Sequence, residues 1–190
     1  MSGGAVPSDQ TTALVLVDVL NGFFHPEGAM WYQGVEAVVP ALQRLLDAAR
    51  TSGALVVHVA DRHRPDVIDR EFAVIPEHLP RGGFDAEFYA GFAPTAGEPI
   101  VEKRRYSGFF ATDLALVLHE HDITSLVIAG VKTNVCIRAT ATDAFAHGFA
   151  VVVPREATNS NRPHLEEASI EDIARYIGRV VPIDEAVALL

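Results

Sequence analysis

The sequence predicts an α/β fold in three layers, α/β/α, with a central, mostly parallel six-stranded sheet covered by helices on both faces. Three observations predict it. First, near-continuous apolar runs recur: TALVLVDVL at 12–20, ALVVHVA at 54–60, SLVIAG at 125–130 and FAVVVP at 149–154. Such runs mark strands buried on both faces. Second, segments with helical spacing of apolar residues lie between them, and strand–helix alternation builds a parallel sheet. Third, Asp18, Asp61, Lys103 and Gly130–Cys136 fall at or just after the ends of expected strands. Open α/β sheets of this Rossmann-like kind place ligands beyond the carboxyl ends of their strands.

The elements follow in order. Residues 1–10 are small and polar, and a flexible N-terminus is expected there. A single domain is expected over 11–190. After the first strand, Val38, Leu42, Leu45, Leu46 and Ala49 predict a helix over Val35–Ser52, with Gly53 as its stop. The second strand follows at 54–60. Asp61–Pro99 is irregular, rich in proline and charge, with paired glycines at Gly82 and Gly83. A connection of that length is often functional. Pro99–Glu102 is a short strand, Asp113–His121 a helix, 125–130 a strand, Asn134–His147 a helix and 149–154 a strand. Leu165–Gly178 is a further helix, VVPI at 180–183 an edge strand, and Asp184–Leu190 a last helical turn.

Composition narrows the function classes. The 190 residues are 49% hydrophobic and 21% charged, which suits a folded domain with a sizeable core. The net charge of −10 is the reverse of what a nucleic-acid binder needs to neutralise phosphates. It also disfavours anionic membrane surfaces. The opening residues show no signal-peptide pattern, and no apolar run approaches a membrane span. One cysteine forms no internal disulfide and fits a reducing compartment. A cytoplasmic protein acting on a small molecule, without nucleic acid or membrane as partner, is expected.

The cysteine is Cys136, in GVKTNVCIRATATDAFAHG. It has two readings: a small apolar core residue, or a reactive thiol. Three features favour the second. The residue lies near the start of an expected helix, where the dipole and free N–H groups stabilise a thiolate. The preceding turn is polar, with Lys132, Thr133 and Asn134. Free N–H groups there could hold an oxyanion. A nucleophile needs a base. None of the eight histidines stands out as one. Asp18 does, because a carboxylate at the end of a buried strand is costly without a partner or a task. A capping or salt-bridged Asp18 is the alternative. Lys103 can supply the balancing charge, or be a surface lysine of the run KRR.

Taken together, LVLVDVLNGFF, VEKRRYSGFFATDL and LVIAGVKTNVCIRATATDAFAHGFAVVVPREA resemble, in order and spacing, the isochorismatase-like cysteine hydrolases. That family includes nicotinamidases and N-carbamoyl amidases, and the resemblance covers residues 12–185. It implies a triad of Asp18, Lys103 and Cys136. It also implies a cis peptide at Val131–Lys132 and an oxyanion hole made by the N–H groups of Lys132 and Cys136. The implied reaction is hydrolysis of a small carboxamide, nicotinamide-like, through a thioester with release of ammonia. Alternatives are an N-carbamoyl or ureido amidohydrolase, a vinyl-ether hydrolase of the isochorismatase type, and a non-catalytic binder. The thiol disfavours the vinyl-ether reading, since vinyl-ether hydrolysis does not need one. A homo-oligomer, dimer or tetramer, is implied as well.

The irregular segment adds Asp61, His63, Glu71 and His78. These are hard and borderline donors suited to a divalent Zn, Mn or Fe ion. A solvated charged loop is the other reading. The layout is similar to the nicotinamidase branch, where such residues hold a metal beside the triad. It departs from that branch at Leu79 and in GGFDAEF. Phe23, Trp31, Tyr106 and Phe109 could wall a planar substrate or be ordinary core or rim aromatics. Arg104 and Arg105 could meet a carboxylate or be solvated. Thr133 and Asn134 could orient substrate or cap the helix.

Overall fold

The computed structural model describes residues 11–190, so the flexible N-terminus expected at 1–10 lies outside the described residues. The strands are β1 (Thr12–Val17), β2 (Val56–Asp61), β3 (Ile100–Lys103), β4 (Ser125–Val131), β5 (Ala150–Pro154), β6 (Thr158–Asn159) and β7 (Arg179–Val181). They form one seven-stranded sheet in the order β3-β2-β1-β4-β5-β7, with β6 paired to β4. Every strand pair is parallel. The expected six strands are corrected to seven. β6 is two residues long and polar, so it carries no apolar run, and only its pairing with Gly130 and Val131 makes it a strand.

Period-two alternation along β1 divides the core into its two layers. Leu14 and Leu16 pack with Leu42, Leu45, Leu46, Ile183 and Ala186. These last residues come from α2 (Val39–Ser52) and α6 (Ile183–Val187). Ala13, Val15 and Val17 face the other way, onto Leu114, Leu118, Ala141 and Ala144. Those belong to α3 (Leu114–Glu120) and α4 (Arg138–Ala146). The short α1 (Asn21–Phe24) buries Phe23 and Phe24 above β1, and α5 (Pro163–Asp172) follows β6. No helix of the described residues is long and apolar enough to cross a membrane.

Three helix boundaries differ from expectation for identifiable reasons. The Val35–Ser52 helix is a 3-10 turn, Val35–Val38, followed by α2, with Pro40 in the first turn of α2. Proline lacks the N–H that a continuous helix would need there. The Asn134–His147 helix begins with a π turn over Thr133–Ile137, and only then continues as α4. The Lys132 carbonyl accepts from both Val135 and Ile137, which widens that turn. The Leu165–Gly178 helix starts earlier, at Pro163, and ends in a second π turn, Ile173–Ile177.

The chain runs outward from β1 through β2 to β3, then returns to the other side of β1 with β4. The strand order therefore reverses between β1 and β4, and a crevice opens at the carboxyl ends there. Two backbone features shape it. Gly130, at φ +125°, lets β4 lie against Val17: a Cβ there would sit 2.0 Å from the Val17 carbonyl oxygen. Asp18 takes a left-handed conformation, φ 58°, directly after β1. That is an uncommon conformation for a residue with a side chain. It is held by Asp18 N–H donating to Val59 and by Leu20 N–H donating back to the Asp18 carbonyl.

Candidate active site

Asp18, Asp61, Lys103 and Cys136 converge at these strand ends. Asp61 and Lys103 are register partners on β2 and β3. Lys103 Nζ lies 2.9 Å from Asp18 Oδ2, 3.4 Å from Asp61 Oδ2 and 3.5 Å from Cys136 Sγ. The other Asp18 oxygen accepts the Asp61 backbone N–H at 2.8 Å. Asp18 and Lys103 are sealed from solvent, and Cys136 retains 5% exposure. Of Asp18, Lys103 and Cys136, the thiol is thus the one that reaches the cavity, which Asp61 also lines. The Val131–Lys132 peptide is cis.

Burial sets the electrostatics. It raises the Asp18 carboxyl to about 6, although the Lys103 ammonium pulls the other way. Burial pushes the Cys136 thiol well above its ordinary value, with Lys103 opposing. For Lys103 burial favours the neutral amine, but Asp18, Cys136 and Asp61 outweigh it and hold the lysine firmly protonated. The resting arrangement near neutral pH is a protonated thiol beside an ion pair.

The cavity over Cys136 has a volume of about 130 Å³ and is lined by Phe23, Met30, Ile75, Tyr106 and Val135 together with Asp61, Glu71, His78 and Lys132. One water needs roughly 10–15 Å³ on the same measure. The space suits a small molecule and not a polymer. Phe23 and Tyr106 are therefore in its wall, whereas two other expected aromatics are not. Phe109 is buried among core residues, its ring stacked on His147 at 4.9 Å. Trp31 is 40% exposed and outside the lining. Phe23 is in the four-residue α1 and the other three are in irregular turns, so no periodicity separates wall from core. Met30, Ile75 and Val135 were not singled out by the sequence, because apolar residues in loops and turns carry no signal of what they face. Arg104 and Arg105 do not reach the cavity wall: Arg105 donates to Asp69 at 2.7 Å and Arg104 lies 3.8 Å from the same carboxylate. Asn134 accepts the Ser160 hydroxyl at 2.6 Å, and Thr133 shares a 2.7 Å hydroxyl contact with Thr158. Both pin the π turn to β6 and its exit.

A second group adjoins the first. One donor atom from each of Asp61, His63 and His78 lies within 4.8 Å of the others, all buried. His63 Nδ1 meets Asp69 at 3.1 Å and His78 Nδ1 meets the Pro76 carbonyl at 2.8 Å. Each ring therefore spends its Nδ1–H on an outer partner and turns Nε2 inward, as metal-binding histidines do. Asp61 Oδ1, His63 Nε2 and Glu71 Oε2 are buried without hydrogen-bond partners among the described residues. Although burial opposes it, His63 and His78 are shifted upward by Asp61 and their outer acceptors, so the group draws in positive charge. These residues fit a divalent cation. Glu71 stands at the edge, 4.0 Å from His78 Nε2. Asp69, which orients His63 and also caps its own turn through Glu71 N–H, was unremarkable in a charged loop.

Comparison with known proteins agrees with this architecture. A family model describing the isochorismatase domain matches residues 12–185. Maleamate amidohydrolase of Pseudomonas putida is 36% identical, over 94% of this chain and 86% of that protein. N-carbamoylsarcosine amidase of an Arthrobacter species is 30% identical, over 94% and 70%. Among solved structures, an isochorismatase-like hydrolase from Alkaliphilus metalliredigens superposes with a TM-score of 0.88 at 33% identity, covering 94% of this chain and 98% of that one. A Pyrococcus horikoshii pyrazinamidase in complex with zinc gives 0.80 at 30% identity, covering 90% and 99%. A match over nearly the whole described chain, joined to relatives that are themselves amidohydrolases, places this protein in the isochorismatase family, as one of its amidohydrolases.

Proposed function

We propose that the protein hydrolyses a small carboxamide through Cys136, forming a thioester and releasing ammonia. The observation that carries this is the sealed contact of Lys103 with both Asp18 and Cys136, opening through the thiol alone onto a small cavity. Asp18 takes the thiol proton as Sγ attacks the carbonyl carbon. Lys103 stays charged and offsets the negative charge passing between carboxylate and thiolate. The tetrahedral oxyanion lies toward the N–H groups of Lys132, just before the π turn, and of Cys136 within it. Asp18 returns its proton to the departing nitrogen as the C–N bond breaks. It then accepts a proton from water, which attacks the thioester, and the thiol reforms with release of the acid.

The nicotinamide-like carboxamide expected from the sequence draws its support from the Asp61, His63 and His78 group. These residues would hold a Zn, Mn or Fe ion, with Glu71 beside it. Such an ion supplies a Lewis-acid contact for a ring nitrogen or carbonyl of the substrate. A second reading, an N-carbamoyl or open-chain acidic amide, is favoured by a cation in the cavity wall, Lys132. Ammonia release from a panel of small amides, by wild type and Cys136→Ala, tests the activity. Turnover retained in Cys136→Ala overturns the covalent mechanism.

A further inference from the structure

Lys132 is a half-buried cation that has no counter-ion among the described residues. Its side chain lines the cavity beside Cys136, with Nζ 5.0 Å from the Tyr32 ring centroid and 6.0 Å from that of Phe23. Among the described residues no carboxylate lies within ion-pair distance of it. Lys103 is engaged by Asp18 and Arg105 by Asp69, whereas Arg162, whose charge reaches Lys132, has no ion pair among the described residues. Burial lowers the Lys132 ammonium from its ordinary range, Cys136 opposes that shift, and the charge of Arg162 adds to it. A desolvated charge with no partner is costly, and two aromatic faces offset only part of that cost.

The cavity is also polarised. Asp61, Glu71 and His78 are on its wall, whereas Lys132 directly follows β4, four residues before Cys136. Phe23, Met30, Ile75 and Val135 fill the remaining wall with apolar surface. A molecule bound there meets the half-buried Lys132 ammonium at one corner and the Asp61, Glu71 and His78 donors at another.

We propose that the Lys132 ammonium is a specificity-determining group that binds a carboxylate of the substrate, so that the amide cleaved is a short acid bearing one carboxylate and one carboxamide or carbamoyl group. This rests on the amidohydrolase reading given above and selects its second substrate class. The carboxylate pairs with Lys132 Nζ, and the carboxamide carbon is thereby presented to Cys136 Sγ.

The test compares maleamate with maleamide, in which a neutral amide replaces the carboxylate. Wild type should favour maleamate in kcat/KM. Lys132→Met should reduce that preference by about 10- to 100-fold, the range of one charge-assisted contact, chiefly through KM. Lys132→Arg should keep most of it. Equal losses on both substrates in Lys132→Met would instead mark a general electrostatic role at the thiolate and overturn the proposal, as would a wild type without preference. Calorimetric binding of the same two compounds to Cys136→Ala and to Cys136→Ala with Lys132→Met reads the contact without turnover. Tighter binding of maleamate that vanishes with Lys132 sustains the proposal even if wild type cleaves neither amide, an outcome that would sink the amidohydrolase reading alone. Indifference between the two compounds overturns it even if both are cleaved. Lys132→Gln replaces the methionine variant if the latter melts early.

Discussion

Asp61 donates its backbone N–H to the Asp18 carboxylate at 2.8 Å while its own side chain lies 3.4 Å from the Lys103 that Asp18 also binds. The two neighbouring strand ends thus share one buried lysine between two carboxylates. Replacing Asp18 by Asn keeps an acceptor for the Asp61 N–H but removes the proton acceptor and half of the charge around Lys103. Turnover should fall by about 100- to 10,000-fold, the usual worth of a positioned acid–base group. Breaking a buried pair costs about 3–5 kcal/mol, so the same variant should also unfold at distinctly lower denaturant. Cys136→Ser, which leaves the pair intact, should lose turnover without that loss of stability. Equal stability of all three proteins would contradict this account of the ion pair.

The raised Asp18 carboxyl makes a signed prediction for pH. The base works only when ionised, so activity should fall as pH drops through about 6. For chelator-treated protein, kcat/KM should show an acid limb there, with one proton involved. Alkylation of Cys136 by iodoacetamide should follow the same limb, because Asp18 and not free solvent removes the thiol proton. A rate that instead climbs steadily through about pH 8.5, as for an isolated thiol, would show that Asp18 does not act on Cys136.

Much of this arrangement could be read from the chain. Asp18 directly follows a long apolar run, Lys103 ends the short strand IVEK, and Cys136 comes six residues after the run SLVIAG; the parallel topology brings these strand ends together. The aromatic wall was not legible. Tyr106 and Phe109 sit three residues apart in a turn without helical or strand period, and tertiary packing alone sends Phe109 into the core. The π turn was invisible for a related reason: it depends on which N–H groups the Lys132 carbonyl accepts, not on the identity of the residues in the turn. The Lys132 side chain was overlooked because the resemblance drew attention to its backbone N–H.

The donor group at Asp61, His63 and His78 predicts a metal-linked gain in stability. Zinc that binds the folded state alone adds about 2.7 kcal/mol at a hundredfold excess over Kd. For a chain of this size that corresponds to a rise of roughly 5–10 °C in Tm. The rise should disappear in His78→Ala and shrink in Asp69→Ala, which frees the His63 ring from its outer partner. A Tm unmoved by Zn, Mn or Fe would argue that these residues form only a hydrogen-bonded network.

Gly130 joins fold and site most tightly. Its φ of +125° is one that side chains rarely adopt, and a Cβ would stand 2.0 Å from the Val17 oxygen and 2.9 Å from the Val17 carbonyl carbon. Both atoms are backbone of the central strand, so no side-chain rotation can relieve the contact. Gly130→Ala must push β4 away from β1, and that movement separates Asp18, directly after Val17, from the turn that carries Cys136. Loss of stability by about 3 kcal/mol or more is expected, in the range of severe backbone and overpacking changes. Folded protein that remains at low temperature should also lose activity beyond its unfolded fraction, because Sγ no longer meets Asp18 and Lys103. Gly148→Ala is the control: at φ +89° it is conformationally strained as well, but its Cβ would meet no atom within 4 Å. It should cost about 1 kcal/mol and leave kcat unchanged. Matching losses of activity in the two variants would remove the special role assigned to the β1–β4 contact.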